Sequence, residues 1–216
     1  MNESLDPPQT RGEEIANSIS HGLGVLAVLV GAPFLIVHAV RVGTVWDVVG
    51  ASIFIGTAAL LYLGSTLYHA LSHQQAKRVF HIIDHSGIFL LIAGTYTPFT
   101  IGILRGALGW TMFGLVWGLA ALGITLKSLQ LIKHRWVSNL FYVGMSWMIL
   151  IAAKQLWMNT TPLFWVWLLA GGIAYTGGVA FYNTKKLRFS HLAWHVCVIA
   201  GTTLHYLAIY RFAFPT

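Results

Sequence analysis

Of the chain's 216 residues, 56% are hydrophobic and only 9% are charged, against about 25% charged in soluble domains. So few polar side chains cannot clothe a water-soluble globule of this size, which excludes an ordinary cytosolic enzyme. The net charge of +7 would suit nucleic acid if the basic residues shared one accessible face, but they lie between apolar runs, and nucleic acid is excluded as a partner. A single cysteine, Cys197, allows neither an intrachain disulfide nor a cysteine-rich metal knuckle.

At about 20 apolar residues per crossing, the length holds roughly seven transmembrane helices. Residues 1–14 carry acids rather than a basic leader region and read as a short, uncleaved cytosolic tail. Residues 15–216 read as one seven-helix transmembrane domain. The predicted spans are Ile15 to Val40, Trp46 to Leu71, Val79 to Leu104, Ala107 to Leu131, Trp136 to Trp157, Pro162 to Asn183 and Ser190 to Tyr210. Pro33 and Pro98 are expected to kink their helices. Gly171, Gly172, Gly177 and Gly178 in the sixth span would let a neighbouring helix approach closely. Runs this long and continuous show none of the alternation of a barrel strand, so the fold class is an all-α integral membrane bundle.

Lysine and arginine set the orientation. Arg11, Lys77, Arg78, Lys127, Lys133, Arg135, Lys185, Lys186 and Arg188 fall on the side of the amino terminus, whereas Arg41, Arg105 and Arg211 fall on the other, with Lys154 near that end. The excess places the amino terminus in the cytoplasm and the carboxyl terminus outside the cell's inner (plasma) membrane. Trp46, Trp110, Trp157 and Trp165 would then form an outer aromatic belt.

Polar groups that remain inside the spans are the informative ones, because lipid makes them expensive. They gather at one end. Ser65 and His69 are four apart at the end of the second span, Asp84 lies near the start of the third, and His191 and His195 are four apart at the start of the seventh. A spacing of four stacks two imidazoles on one helix face, where they can converge on a divalent metal, and His69 can supply a third nitrogen. Asp84 would orient a water molecule or accept its proton, and Ser65 could hydrogen-bond that water or a substrate oxygen. Nitrogen ligands favour zinc over calcium or magnesium, although nickel, copper and iron suit the same donors. By itself the His-x3-His pair is a weak signal, since histidines at helix ends also meet headgroups. His21, with Glu14 at the start of the first span, lies at a depth where it would support the ligands from behind or simply face the interface. His85 points about 100° away from Asp84 around its helix and is grouped with these supporting residues. His73, His81, His134, His38 and His205 fall in loops, at the interface or too far along their helices to join.

The segments EEIANSISHGLG, STLYHALSH, FHIIDHSGIFLLIAGTYTPF and SHLAWHVCVIAGTTLHY resemble the hemolysin III proteins of bacteria, members of the superfamily of progestin and adiponectin receptors. The likeness runs from Glu13 to about Tyr206, with the Ser-x3-His, the Asp and the His-x3-His in order on the expected helices. It implies zinc held near the cytoplasmic face by His69, His191 and His195, with Asp84 reaching it through water and Ser65 matching the serine of the first motif. The animal receptors have a long cytosolic amino-terminal region, so their adaptor docking is not carried over. His85 stands where those receptors carry tyrosine.

The resemblance further implies a zinc-dependent hydrolase of a lipid amide or ester, since the receptor relatives are linked to ceramidase activity. A second reading is a non-catalytic regulator of membrane lipid composition, with the metal only tying helices together. A cytolysin, the third, ranks last because pore formers use a soluble state that a chain this apolar lacks. Membrane lipids are the expected partners; no protein partner is indicated, and association into a homo-oligomer stays open.

Overall fold

The structure is a computed structural model that describes residues 9–132, 134–184 and 187–213. Lys133, Lys185 and Lys186, on which the orientation partly rests, lie outside the described residues, as do the first eight residues of the expected tail. The described chain contains α1 (Arg11–Val42), α2 (Val45–Ala70), α3 (Gln74–Thr97), α4 (Gly106–Ser128), α5 (Arg135–Trp147), α6 (Ala153–Asn159), α7 (Pro162–Asn183) and α8 (Ser190–Phe212). Two irregular helical turns, Pro98–Leu104 and Met148–Ala152, extend α3 and join α5 to α6. Seven stretches are long and apolar enough to cross a membrane, and no strand occurs among the described residues. Short connections run successive spans in opposite directions, so the start of α1, the end of α2 and the starts of α3 and α8 share one end of the bundle. α3 is the most buried span and packs chiefly on α2.

The first helix begins at Arg11, before the predicted span, and a capping box explains the start. Thr10 Oγ1 accepts from the Glu13 amide at 3.3 Å while the Glu13 carboxylate accepts from the Thr10 amide at 2.9 Å. The other Glu13 oxygen accepts from the amide of Phe189 at 3.0 Å. Phe189 has φ of 58°, a left-handed conformation uncommon for a bulky residue, and this contact holds the turn that launches α8. α3 likewise begins at Gln74, earlier than expected, with His73 as its cap.

Pro33 lies within an uninterrupted α1. Pro98 instead opens a π-helical turn that runs to Leu104, the widened geometry by which a helix accommodates a missing amide hydrogen. The fifth span tightens into a 3-10 turn at Met148–Ala152 that hydropathy did not signal. Lipid cannot satisfy the freed backbone groups there. The Tyr96 hydroxyl does so from α3, lying 2.7 Å from the Met145 carbonyl and 2.9 Å from the Ser146 carbonyl while accepting from the Ile149 amide at 2.7 Å.

At the opposite end of the bundle, Trp46 and Trp110 pack edge to face with centroids 5.2 Å apart. Trp46, Trp110 and Trp157 are well exposed, as an interfacial belt requires, but Trp165 is buried against Phe164. Gly171 explains how α7 and α8 come so close: a Cβ there would run into the His205 ring. At Gly177 an added Cβ meets nothing within 4 Å. Gly171→Val should therefore destabilise the detergent-purified protein by about 1–3 kcal/mol through overpacking, and Gly177→Ala should leave it within about 0.5 kcal/mol. Thermal unfolding of both variants checks this, and equal midpoints would contradict the packing described.

Candidate metal centre

His69 occupies the last turn of α2, and His191 and His195 the first two turns of α8. α2 is brought against α3 at Gly64, where a side chain would meet Ile83 Cγ2 at 2.7 Å, and this approach carries Asp84 to the level of Ser65. The three imidazoles converge: each offers one nitrogen, and these nitrogens lie within 4.8 Å of one another. Ring centroids are 5.1 Å apart for His69 and His191, 5.2 Å for His69 and His195, and 4.6 Å for His191 and His195. His69 and His195 are almost fully buried.

Hydrogen bonds fix which nitrogen two of the rings present. His69 Nδ1 lies 2.6 Å from Glu14 Oε2; a carboxylate can only accept, so Nδ1 carries the proton and Nε2 the lone pair. The other Glu14 oxygen takes Lys77 Nζ at 2.5 Å, which keeps the carboxylate ionised and aimed. Ser20 Oγ donates to the Asn17 carbonyl at 2.8 Å and so faces His195 Nδ1, at 2.9 Å, as an acceptor. His195 Nδ1 is therefore the protonated nitrogen and Nε2 again the lone pair. His69 Nε2 is buried without a hydrogen-bond partner, the orphan expected of a metal ligand. Imidazole nitrogens with carboxylate and hydroxyl groups behind them are the donor set of a zinc-type site, so the residues present fit a transition-metal ion.

The remaining expected residues are distributed as follows. His21 stacks on His195 at 3.6 Å between centroids and 10° between planes, and both its nitrogens are buried without partners. Asp84 and His85 line a small pocket with His21, His191, His195 and Tyr182. His85 Nδ1 lies 3.0 Å from the His81 carbonyl and 3.7 Å from Asp84 Oδ2, and its Nε2 is 3.4 Å from the Tyr182 hydroxyl. Ser65 is fully buried with no partner for its hydroxyl; it sits one turn before His69, outside the lining of that pocket. Glu14 stands directly behind His69. Ser20 and Lys77 were not foreseen. Ser20 was readable, because Glu13, Asn17, Ser20 and Gly24 fall at spacings of three or four along α1 and mark one inward stripe.

Comparison with known proteins shows the family to which the chain belongs. Residues 9–206 match the family model described as Haemolysin-III related. The chain is 42% identical to Hemolysin-3 of Bacillus cereus over 204 residues, covering 94% of this chain and 93% of that protein. It is also 42% identical to a Hemolysin-3 homolog of Bacillus subtilis (strain 168), over 91% and 92% of the two chains. Monocyte to macrophage differentiation factor of Homo sapiens is 27% identical over 94% of this chain and 85% of its own. With seven apolar helices and a match along nearly its whole length, the chain belongs to the haemolysin-III-related family of multi-pass membrane proteins.

Proposed function

We propose that the chain is a zinc-dependent intramembrane hydrolase of a lipid amide or ester, working at the cytoplasmic side of the plasma membrane and so altering membrane lipid composition. The observation that carries this reading is the protonation pattern of the cluster. Glu14 and Ser20 turn lone pairs of His69 and His195 inward, beside Asp84 and next to an apolar seam. His69, His191 and His195 would hold the ion, which when bound supplies Lewis acidity toward a carbonyl oxygen and lowers the pKa of water toward about 7.

The other roles belong to side chains. Asp84, the one carboxylate lining the histidine pocket, holds the attacking water and takes its proton at a carboxylate oxygen. The Ser65 hydroxyl, buried and otherwise unpartnered, donates to an oxygen of the substrate. His21 backs the His195 ring and limits its rotation. Leu61, Ile88, Trp194 and Val198 line both the histidine pocket and an apolar seam between α3, α5, α7 and α8, so an acyl chain that parted this seam would present its carbonyl group at the cluster. α5 and α7 meet only sparsely, which offers the chain a lateral entrance from lipid.

A second reading draws on the same contacts. Glu14 and Ser20 on α1, His69 on α2 and His191 and His195 on α8 meet at one point, so a metal there would also clamp three helices without turnover. Lysis of cells ranks below both.

Two experiments address these readings. Zinc-loaded protein in lipid discs, given a panel of ceramides and phospholipids, should release fatty acid, and Asp84→Asn should lower kcat by at least about 100-fold with metal content unchanged. Release no faster than from a His69→Ala control would refute the hydrolase, and an Asp84→Asn strain with a wild-type lipid profile would favour the clamp. Glu14→Ala should weaken metal binding by about 10- to 100-fold in competition with a chromogenic chelator; an unchanged affinity would mean that Glu14 serves only to hold Lys77.

A further inference from the structure

At the end of the bundle opposite the histidines, a groove with about 380 Å³ of room for water-sized groups lies between α1 and α8. A volume of this size is that of a ligand site. Its lining changes character along α1. Pro33, Phe34 and Val37 are exposed and apolar, and His38 and Arg41 follow toward the helix end, with Tyr210 of α8 across from them. Pro33 and Arg41 are eight residues apart, about 12 Å along the helix axis. The rings of His38 and Tyr210 stack with centroids 4.6 Å apart. One turn deeper, the Tyr206 hydroxyl donates to the Gly31 carbonyl at 2.8 Å and holds the two helices together beneath the groove.

The charge at this end is unbalanced. The carboxylate side chains among the described residues are Glu13, Glu14, Asp47 and Asp84. The two glutamates and Asp84 lie at the histidine end, and Asp47 is taken by Arg105 at 3.3 Å and the Thr44 amide at 2.7 Å. Arg41 is exposed, and among the described residues its guanidinium has no ion pair or hydrogen bond; nor does the Tyr210 hydroxyl have a hydrogen-bond partner there. A guanidinium brings five N–H donors and a phenol one more. These donors stand directly above an apolar wall. A phosphodiester that carries acyl chains answers both halves of such a groove, because its oxygens accept from a guanidinium fork and its chains cover the wall. A zwitterionic headgroup would add an ammonium for which no described carboxylate is available.

We propose that the groove binds one negatively charged phospholipid from the leaflet opposite the histidine cluster. Arg41 and the Tyr210 hydroxyl hold its phosphate, and its chains lie along Val37, Phe34 and Pro33. The site bridges α1 and α8, so a bound lipid fastens these helices at the end where only Gly31, His38 and their tyrosine partners have been described as joining them. It depends neither on the metal nor on hydrolysis.

Native mass spectrometry of the full-length protein tests it, with phosphatidylglycerol and phosphatidylcholine of identical palmitoyl and oleoyl chains. The wild type should hold one phosphatidylglycerol about five- to tenfold more tightly than phosphatidylcholine. Arg41→Gln should lose most of this preference, and Arg41→Lys should keep part, since an ammonium retains the charge without the fork. Val37→Trp fills the groove with every charge in place and should weaken the tight phosphatidylglycerol site; if it fails to fold, the two Arg41 variants decide alone. Arg78→Gln removes an exposed charge at the histidine end and should leave the tight site intact. No preference in the wild type overturns the proposal, as does a preference that survives in Arg41→Gln. An equal loss in Arg78→Gln overturns it too, because the effect is then one of net charge. Displacement of the lipid by an excess of inorganic phosphate would make the groove a phosphate site and overturn the assignment to a lipid.

Discussion

Hydrocarbon offers no hydrogen bonds, so each polar group carried into the bundle must find its partner in the protein or in something the protein binds. The contact between Glu14 and His69 shows what this constraint does. A carboxylate that is itself held by Lys77 accepts the Nδ1 proton of a buried imidazole, and the second nitrogen of that ring is then left facing inward with nothing to bond. Three imidazoles with nitrogens within 4.8 Å make the arrangement intelligible, because one ion would satisfy all three at once.

From this follows the importance of α1, which carries none of the three clustered histidines yet contacts two of them. Glu13 ties the start of α8 through the Phe189 amide, Glu14 orients His69, Ser20 orients His195, and the His21 ring lies flat on His195. These residues form a single inward stripe over a little more than two turns. Groups behind metal ligands tune both ring orientation and basicity, so on the proposed reading the first helix would set the chemistry of residues on α2 and α8. The same constraint accounts for places far from the site. Tyr96 fills the gap where the fifth span tightens, and the Tyr62 and Tyr175 hydroxyls converge on Thr202.

Much of this was legible in the sequence, for physical reasons that differ between its parts. The seven spans follow from runs of apolar residues long enough to cross lipid, and the histidine cluster from a spacing of four on α8 together with His69 at a matching depth. Helix starts were less legible: the Thr10 and Glu13 capping box is a local signal, but hydropathy alone places the helix start where the apolar run begins. The 3-10 turn in the fifth span was not legible, because its stabilising group, the Tyr96 hydroxyl, lies some fifty residues away. Trp165 was expected in an exposed belt on depth alone, whereas its burial depends on which way its helix faces. Lys77 reaches Glu14 across 63 residues, a pairing that no local pattern encodes.

On the proposed reading three imidazoles, two of them held by Glu14 and Ser20, bind one metal ion. X-ray absorption at the zinc edge of the purified wild-type protein measures this most directly. One zinc per chain is expected, with nitrogen and oxygen neighbours at about 2.0–2.1 Å, the outer-shell signature of three imidazoles, and no sulfur. A protein with no stoichiometric metal, or a zinc bound by fewer than three imidazoles, would contradict it.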